Sequence, residues 1–173
     1  MDDELQDRSG GEAAATLTAR EIAQLALALA RAEQPQATLA GIDRLGAAAI
    51  GHCLFSANAF RIESMQVERL YSSNPDAYPV GGRKNKKATA WGQRVLIDRQ
   101  VFTGEGEADI RAAFDDHALM HSLGVRSIIN VPVVWRDACL GVLNFACPSP
   151  TLQDRQIASA RMFGLIASAA FLP

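Results

Sequence analysis

The strongest pattern in the chain lies between residues 124 and 147, where two apolar runs flank a short polar break. The first run, residues 127–135, is rich in β-branched side chains (Ile128, Ile129, Val131, Val133, Val134), which suit a pleated, half-buried surface. Residues 140–146 form the second run. Arg136-Asp137-Ala138-Cys139 lies between them, with turn chemistry at Asp137. Runs this apolar predict a hairpin covered on both faces. Asn130 and Asn144 alone interrupt them, and an odd number of loop residues would set the two amides opposite each other.

Upstream, Thr18-Ala19-Arg20-Glu21 has the form of a capping box, with Leu17 and Ile22 placed for a hydrophobic staple. The spacing of Ile22, Leu25 and Leu29 predicts a helix over 18–33, which Pro35 ends or whose successor it opens. Leu39, Ile42, Leu45, Ala49 and Ile50 predict a second helix closed by Gly51. Residues 52–62 read as a strand, with Leu54, Ser56, Asn58 and Phe60 on one face and Cys53, Phe55, Ala57 and Ala59 on the other. Residues 65–72 read as its partner, with Val67, Arg69 and Tyr71 sharing a face. A polar stretch follows, containing Gly81-Gly82 and four cations in the next five residues. A short helix is expected at 91–97, a loop through Phe102, Gly104 and Gly106, and one helix over 109–123 that ends at Gly124. After Pro148-Ser149-Pro150, Thr151 with Asp154 is a plausible cap for the last helix. Its Ala- and Gly-rich face, including Gly164, allows close packing.

This order, two helices, two strands, two helices, two strands and a helix, predicts an α+β layer built on an antiparallel sheet. The 173 residues suit a single domain over 16–173, preceded by a charged, glycine-containing tail at 1–15. The first helix is available for a dimer bundle. A net charge of −2 gives no basic excess for nucleic acid, and no apolar run approaches the roughly 20 residues of a membrane span. The acidic start lacks the order of a signal peptide, so a cytoplasmic setting with reduced thiols is expected. Cys53, Cys139 and Cys147 are odd in number and form no CxxC.

The motifs resemble the GAF domain family. Gly124-Val125-Arg126-Ser127, Val131-Pro132-Val133 and Gly141-Val142-Leu143-Asn144 carry the family pattern. Val80-Gly81-Gly82-Arg83-Lys84, Trp91-Gly92 and Ile129-Asn130-Val131-Pro132-Val133 are similar to a group of short stand-alone bacterial GAF proteins, and the resemblance spans about residues 36–172. One departure is the hairpin turn, where the family often has Asp-Gly and this chain has Asp137-Ala138. Alanine at positive φ costs on the order of 1 kcal/mol, so a different turn is expected. The resemblance implies a profilin- or PAS-like twisted sheet with terminal helices on one face and a pocket on the other, roofed by the middle helices and loops. It also implies a small-molecule sensor, homodimeric through its terminal helices, that signals through a separate partner. The alternatives are a dimerisation module without a ligand, or an enzyme on the same scaffold.

Candidate site residues follow from both readings. Arg83 and Lys84 would pin an anion, with glycine amides adding donors, or else belong to a solvated loop. Trp91 would stack on a flat ligand or pack in the core. Tyr71 and Phe102 share that ambiguity, as does Tyr78. Asn130 and Asn144 would present amides from the pocket floor, or form a structural pair, since an unbonded buried amide costs roughly 1–3 kcal/mol. His117 and His121 are spaced i, i+4, but no third metal ligand is evident: Asp115 and Asp116 point elsewhere on the helix, and Asp116 and His117 are expected on a solvated face. His52 stands alone and reads as structural. The family's free methionine sulfoxide reductases and its bilin-attaching members use cysteines in the segment corresponding to 80–125, where this chain has none. Cys53 and Cys147 read as small apolar strand residues, and Cys139 as exposed at the turn. No catalytic residue, metal ligand or cofactor is assigned.

Overall fold

A computed structural model describes residues 17–172; the tail expected at 1–15 lies outside them. Thr18 caps α1 (Ala19–Ala28) as its sequence requires, accepting from the Glu21 amide at 3.2 Å while Glu21 reaches back to the Thr18 amide at 2.8 Å. The helix is shorter than the expected 18–33. Pro35 caps α2 (Gln36–Ala49), and Gly51 follows it with φ of 75°.

The described residues form one antiparallel sheet in the order β3-β2-β1-β6-β5-β4. Its strands are β1 (Leu54–Arg61), β2 (Gln66–Ser72), β3 (Arg83–Asn85), β4 (Phe102–Glu105), β5 (Ser127–Trp135) and β6 (Ala138–Cys147). The two outer strands, β3 and β4, are those the hydrophobic pattern did not announce. Each is only three or four residues long, and they lie where loops were expected, in the cationic run and at Phe102–Gly104. Such short, polar or glycine-containing edges lack an alternating signature.

One face of the sheet packs on α1, α2 and α6 (Asp154–Ala170). Phe55 and Ala57 of β1, Ile129, Val131 and Val133 of β5 and Leu143, Phe145 and Cys147 of β6 meet Leu39, Ile42 and Phe163 there, all fully or nearly buried. Gly164 lets α6 sit close on β5: a β-carbon there would fall 2.6 Å from Val131 Cγ1. Gln153, not Thr151, is the N-cap of α6, its amide donating to Gln156 Oε1 at 2.7 Å. The helix expected over 109–123 is instead two, α4 (Gly106–Ala113) and α5 (His117–Ser122), because Phe114 is extended at φ −134°, ψ 125°. The helix expected over 91–97 is a single α turn, α3 (Ala90–Gly92), continued as a π-helical turn over Gln93–Ile97.

Two bulges decide which side chains face which way. In β2, Ala57 pairs with Tyr71 but Asn58 pairs with Arg69, so Leu70 is an extra residue. In β6, Val133 pairs with Gly141 but Val134 with Cys139, so Leu140 is extra. The turn itself is two residues, Arg136 and Asp137, both at positive φ (45° and 62°), as a tight right-twisting hairpin demands. Ala138 is therefore already in the strand, and the strain expected of it does not arise.

Candidate functional site

The other face of the sheet is the floor of a cavity of about 80 Å³. Alternation sends Leu54, Ser56 and Asn58 of β1, Val67 and Arg69 of β2, Ile128 of β5 and Asn144 and Ala146 of β6 to it. Trp91 of α3, Phe114 and Asp116 at the α4–α5 break and Met120 of α5 form the roof, with Tyr78, Gly82, Lys84 and Lys86 closing the side.

A buried hydrogen-bonded relay joins roof to floor. Trp91 Nε1 donates to Asn130 Oδ1 at 2.8 Å, Asn130 Nδ2 donates to Asn144 Oδ1 at 2.8 Å, and Asn144 Nδ2 donates to Ser56 Oγ at 3.1 Å. The two asparagines are direct cross-strand partners. An even, two-residue turn would set them out of step; the bulge at Leu140 restores the register. Asn130 is fully buried and does not line the cavity, whereas Asn144 does. Trp91 is 6% exposed and its indole carries Lys86 Nζ 4.8 Å from the ring centroid.

The charged lining is cationic. Lys84 Nζ pairs with Asp116 Oδ2 at 2.8 Å, joining the edge strand β3 to the roof. Burial alone would raise Asp116, but the Lys84 bond and charge outweigh it and hold the carboxyl below its ordinary value. Lys86 is pushed down by burial and then by the Lys84 charge. Arg69 donates to the Pro79 carbonyl at 3.1 Å and lies over the Tyr78 ring, 4.9 Å from its centroid. Burial, then the Asp116 charge, raise the Tyr78 phenol. Three buried polar atoms of this lining, Asn58 Oδ1, Arg69 Nε and Tyr78 Oη, have no hydrogen-bond partner of good geometry among the described residues.

The other residues expected at the site lie elsewhere. Arg83 points out from β3 and pairs with Glu68 at 3.0 Å, because its neighbour Lys84 takes the inward position on the strand. Tyr71 faces the helices: the Leu70 bulge flips its parity, so its hydroxyl donates to Asp43 Oδ2 at 2.9 Å. Asp43 also holds His52 Nε2 at 2.8 Å, so His52 is not isolated. Phe102 packs edge-on to Phe114 beyond the cavity wall, ring centroids 6.0 Å apart. Conversely, Asp116 was expected on a solvated face and sits inside; the break at Phe114 turns it inward, and no periodic signal announces that break. Arg69, Asn58 and Ser56 follow from the alternation of β1 and β2, but their role depends on knowing which face carries a cavity.

His117 and His121 line a separate surface groove, and no cluster of three His, Cys, Asp or Glu side chains able to hold a metal exists among the described residues. Burial raises all three thiols, Cys139 to about 11 and Cys147 to about 12. Cys53 precedes β1 and is exposed, and Cys139 is half-buried in β6 with its Sγ donating to the Gly141 carbonyl, so neither matches its expected setting.

The GAF domain model matches residues 11–171. No curated protein sequence matches the chain. Among solved structures, the GAF domain from a phosphoenolpyruvate-protein phosphotransferase of Coxiella burnetii is similar, with a TM-score of 0.71 at 13% identity over 87% of this chain and 90% of that one. The GAF domain from the Acinetobacter phosphoenolpyruvate-protein phosphotransferase gives a TM-score of 0.69 at 14% identity, covering 88% and 90%. A free methionine-R-sulfoxide reductase from Neisseria meningitidis, in complex with its substrate, gives 0.65 at 16% identity, covering 90% and 92%.

Proposed function

Because the chain belongs to the GAF domain family, whose members are small-molecule-sensing domains of signalling proteins, we propose that it binds a small metabolite in the cavity between β1, β2, β5 and β6 and the α3–α5 roof. The observation that carries this reading is the set of polar atoms without a well-formed partner in one lining, Asn58 Oδ1 and Arg69 Nε first, with Tyr78 Oη reaching only Asp116 at poor geometry. A buried polar group without a partner costs about 1–3 kcal/mol, so their concentration in one cavity fits a site whose partner is a guest. Lys84, Trp91 and Asn144 remain in the proposed site; Arg83, Tyr71 and Phe102 give way to Arg69, Asn58 and Lys86. Asn130 acts by holding Trp91 and Asn144 in place.

The proposed role is sensory and not catalytic, in keeping with a segment from 80 to 125 that holds no cysteine. The working unit is a homodimer through the terminal helices, a reading supported by Leu27 on α1 and Leu165 on α6, 70% and 72% exposed. Its output passes to a separate partner, in the cytoplasm; no described helix is long and apolar enough to cross a membrane. Native mass spectrometry of freshly purified protein, with thermal melting across a metabolite panel, tests the reading. A bound small mass or a ligand-raised Tm is expected. A panel that moves nothing, with no adduct, favours a ligand-free dimerisation module. A monomer by light scattering, or a dimer untouched by Leu165→Glu, removes the dimer reading.

A further inference from the structure

The strand register gives the cavity floor a chemical gradient. Leu54, Ala146 and Ile128 form one row across β1, β6 and β5, and Met120 clusters with them from the roof. Two residues along, Ser56, Asn144 and Asn130 form a hydroxyl-and-amide row. Beyond it Asn58 stands beside Arg69 of β2. The floor is thus apolar at the Leu54 end and polar across the rows that follow, with Val67 beyond Arg69.

The charges are unbalanced in one direction. Of the cations in the lining, Lys84 is taken by Asp116. Arg69 and Lys86 pair with no carboxylate among the described residues. Both are half-buried, with Asp116 acting on them only from beyond ion-pair range, an arrangement that favours an anion from outside. Asp116 in the same lining disfavours a second negative charge on the guest. Asn58 Oδ1 accepts only, so it asks for a donor. With Arg69 beside it, a neutral hydroxyl suits that place better than an ammonium. Size limits the rest: about 80 Å³ corresponds to roughly six water-sized spheres at about 10–15 Å³ each.

Building on the metabolite-binding reading above, we propose that the cavity takes a compact organic monoanion, a carboxylate held between Arg69 and Lys86, with a hydroxyl on the adjacent carbon donating to Asn58 Oδ1 and a short branched hydrocarbon tail over the Leu54–Ala146–Ile128 row. Gly82 belongs to this design, since a β-carbon there would lie 2.9 Å from the Arg69 guanidinium and displace it from the lining.

The test is calorimetric titration of the full chain with four matched probes: α-hydroxyisocaproate, isocaproate lacking the hydroxyl, neutral α-hydroxyisocaproamide, and leucine with an ammonium in the hydroxyl's place. The hydroxy acid is expected to bind at least tenfold tighter than the amide and several-fold tighter than isocaproate or leucine. Lys86→Met keeps the packing stem and is expected to lose tenfold or more for the acids, with the amide unchanged. Asn58→Ala is expected to erase the advantage of the hydroxy acid over isocaproate. Equal binding of acid and amide, or acid binding indifferent to Lys86→Met, overturns the proposal while leaving a metabolite cavity standing. Failure of both acids also overturns it. If neutral or cationic panel compounds then bind, the broader reading survives; if nothing binds, both fall.

Discussion

Replacing Asn130 with leucine cuts the relay that holds roof to floor. Asn130 is fully buried and uses both ends of its amide, accepting from Trp91 Nε1 and donating to Asn144 Oδ1, each at 2.8 Å. Leucine is similar in size, so the cost falls on the partners left behind and not on a void. A buried donor or acceptor stripped of its partner costs about 1–3 kcal/mol. Trp91 Nε1 sits on a side chain only 6% exposed and bears that cost in full. Asn144 keeps its bonds to Ser56 and borders the cavity, so its loss falls at the low end. The total is about 2–4 kcal/mol of stability, which for a domain of this size lowers Tm by about 4–16 °C. Urea unfolding followed by circular dichroism measures it without relying on tryptophan emission. The companion variant Trp91→Phe orphans Asn130 Oδ1 from the other side. Because the two residues share one bond, the double variant is expected to lose less than the sum of the singles, with a coupling of about 1 kcal/mol or more. Strict additivity, or an Asn130→Leu protein within about 0.5 kcal/mol of the wild type, refutes the relay.

Three further outcomes follow. Tyr71 is raised to about 12 by burial and by its bond to Asp43, so the protonated phenol is the folded form. That contribution is fully present below the ordinary tyrosine value near 10 and is lost as pH climbs toward about 12, and Tyr71→Phe is expected to flatten this part of the alkaline unfolding curve while costing about 0.5–1.5 kcal/mol at neutral pH; an unchanged curve contradicts the assignment. Gly164→Ala gains about 1 kcal/mol of helix propensity but drives a methyl into Val131, so a net loss of up to about 2 kcal/mol in chemical denaturation is expected, and a more stable variant contradicts the close approach of α6. Iodoacetamide at pH 8 is expected to modify Cys147 far more slowly in the folded than in the urea-unfolded protein; rapid native labelling contradicts its burial at a raised pKa of about 12.

What the sequence revealed and what it hid divide along a physical line. Period-two alternation in β1 placed Leu54, Ser56 and Asn58 on one face and Phe55 and Ala57 on the other, and the structure keeps that division. Apolar runs announced β5 and β6, and the Thr18–Glu21 box announced the start of α1. Parity is where the reading broke, because one extra residue in a strand reverses every assignment beyond it. Tyr71 left the cavity through the bulge at Leu70, while Asn130 and Asn144 met through the bulge at Leu140. The bulge at Leu70 has no glycine or proline beside it, and Gly141 beside Leu140 also belongs to the Gly141–Asn144 family motif, so neither reads as a bulge. The edge strands were too short to register, so Arg83 and Lys84 were both expected at the site although a strand sends neighbours to opposite sides. Asp116 owes its place to the break at Phe114, which tertiary contacts with Trp91 and Phe102 impose on a sequence that reads as continuous helix.

The cavity itself is tested most directly by filling it. Ala146 is 2% exposed in the middle of the apolar floor row, and Ala146→Phe projects a ring into the space above Leu54 and Ile128. Melting of the wild type and of this variant is compared across one panel of small organic acids, amides and amines. A guest at a hundred times its Kd stabilises by about 2.7 kcal/mol, a shift of about 5–11 °C. The account predicts that at least one compound lifts the wild type by several degrees and leaves a folded Ala146→Phe protein unmoved. A compound that stabilises both equally contradicts it, as does a panel that moves neither.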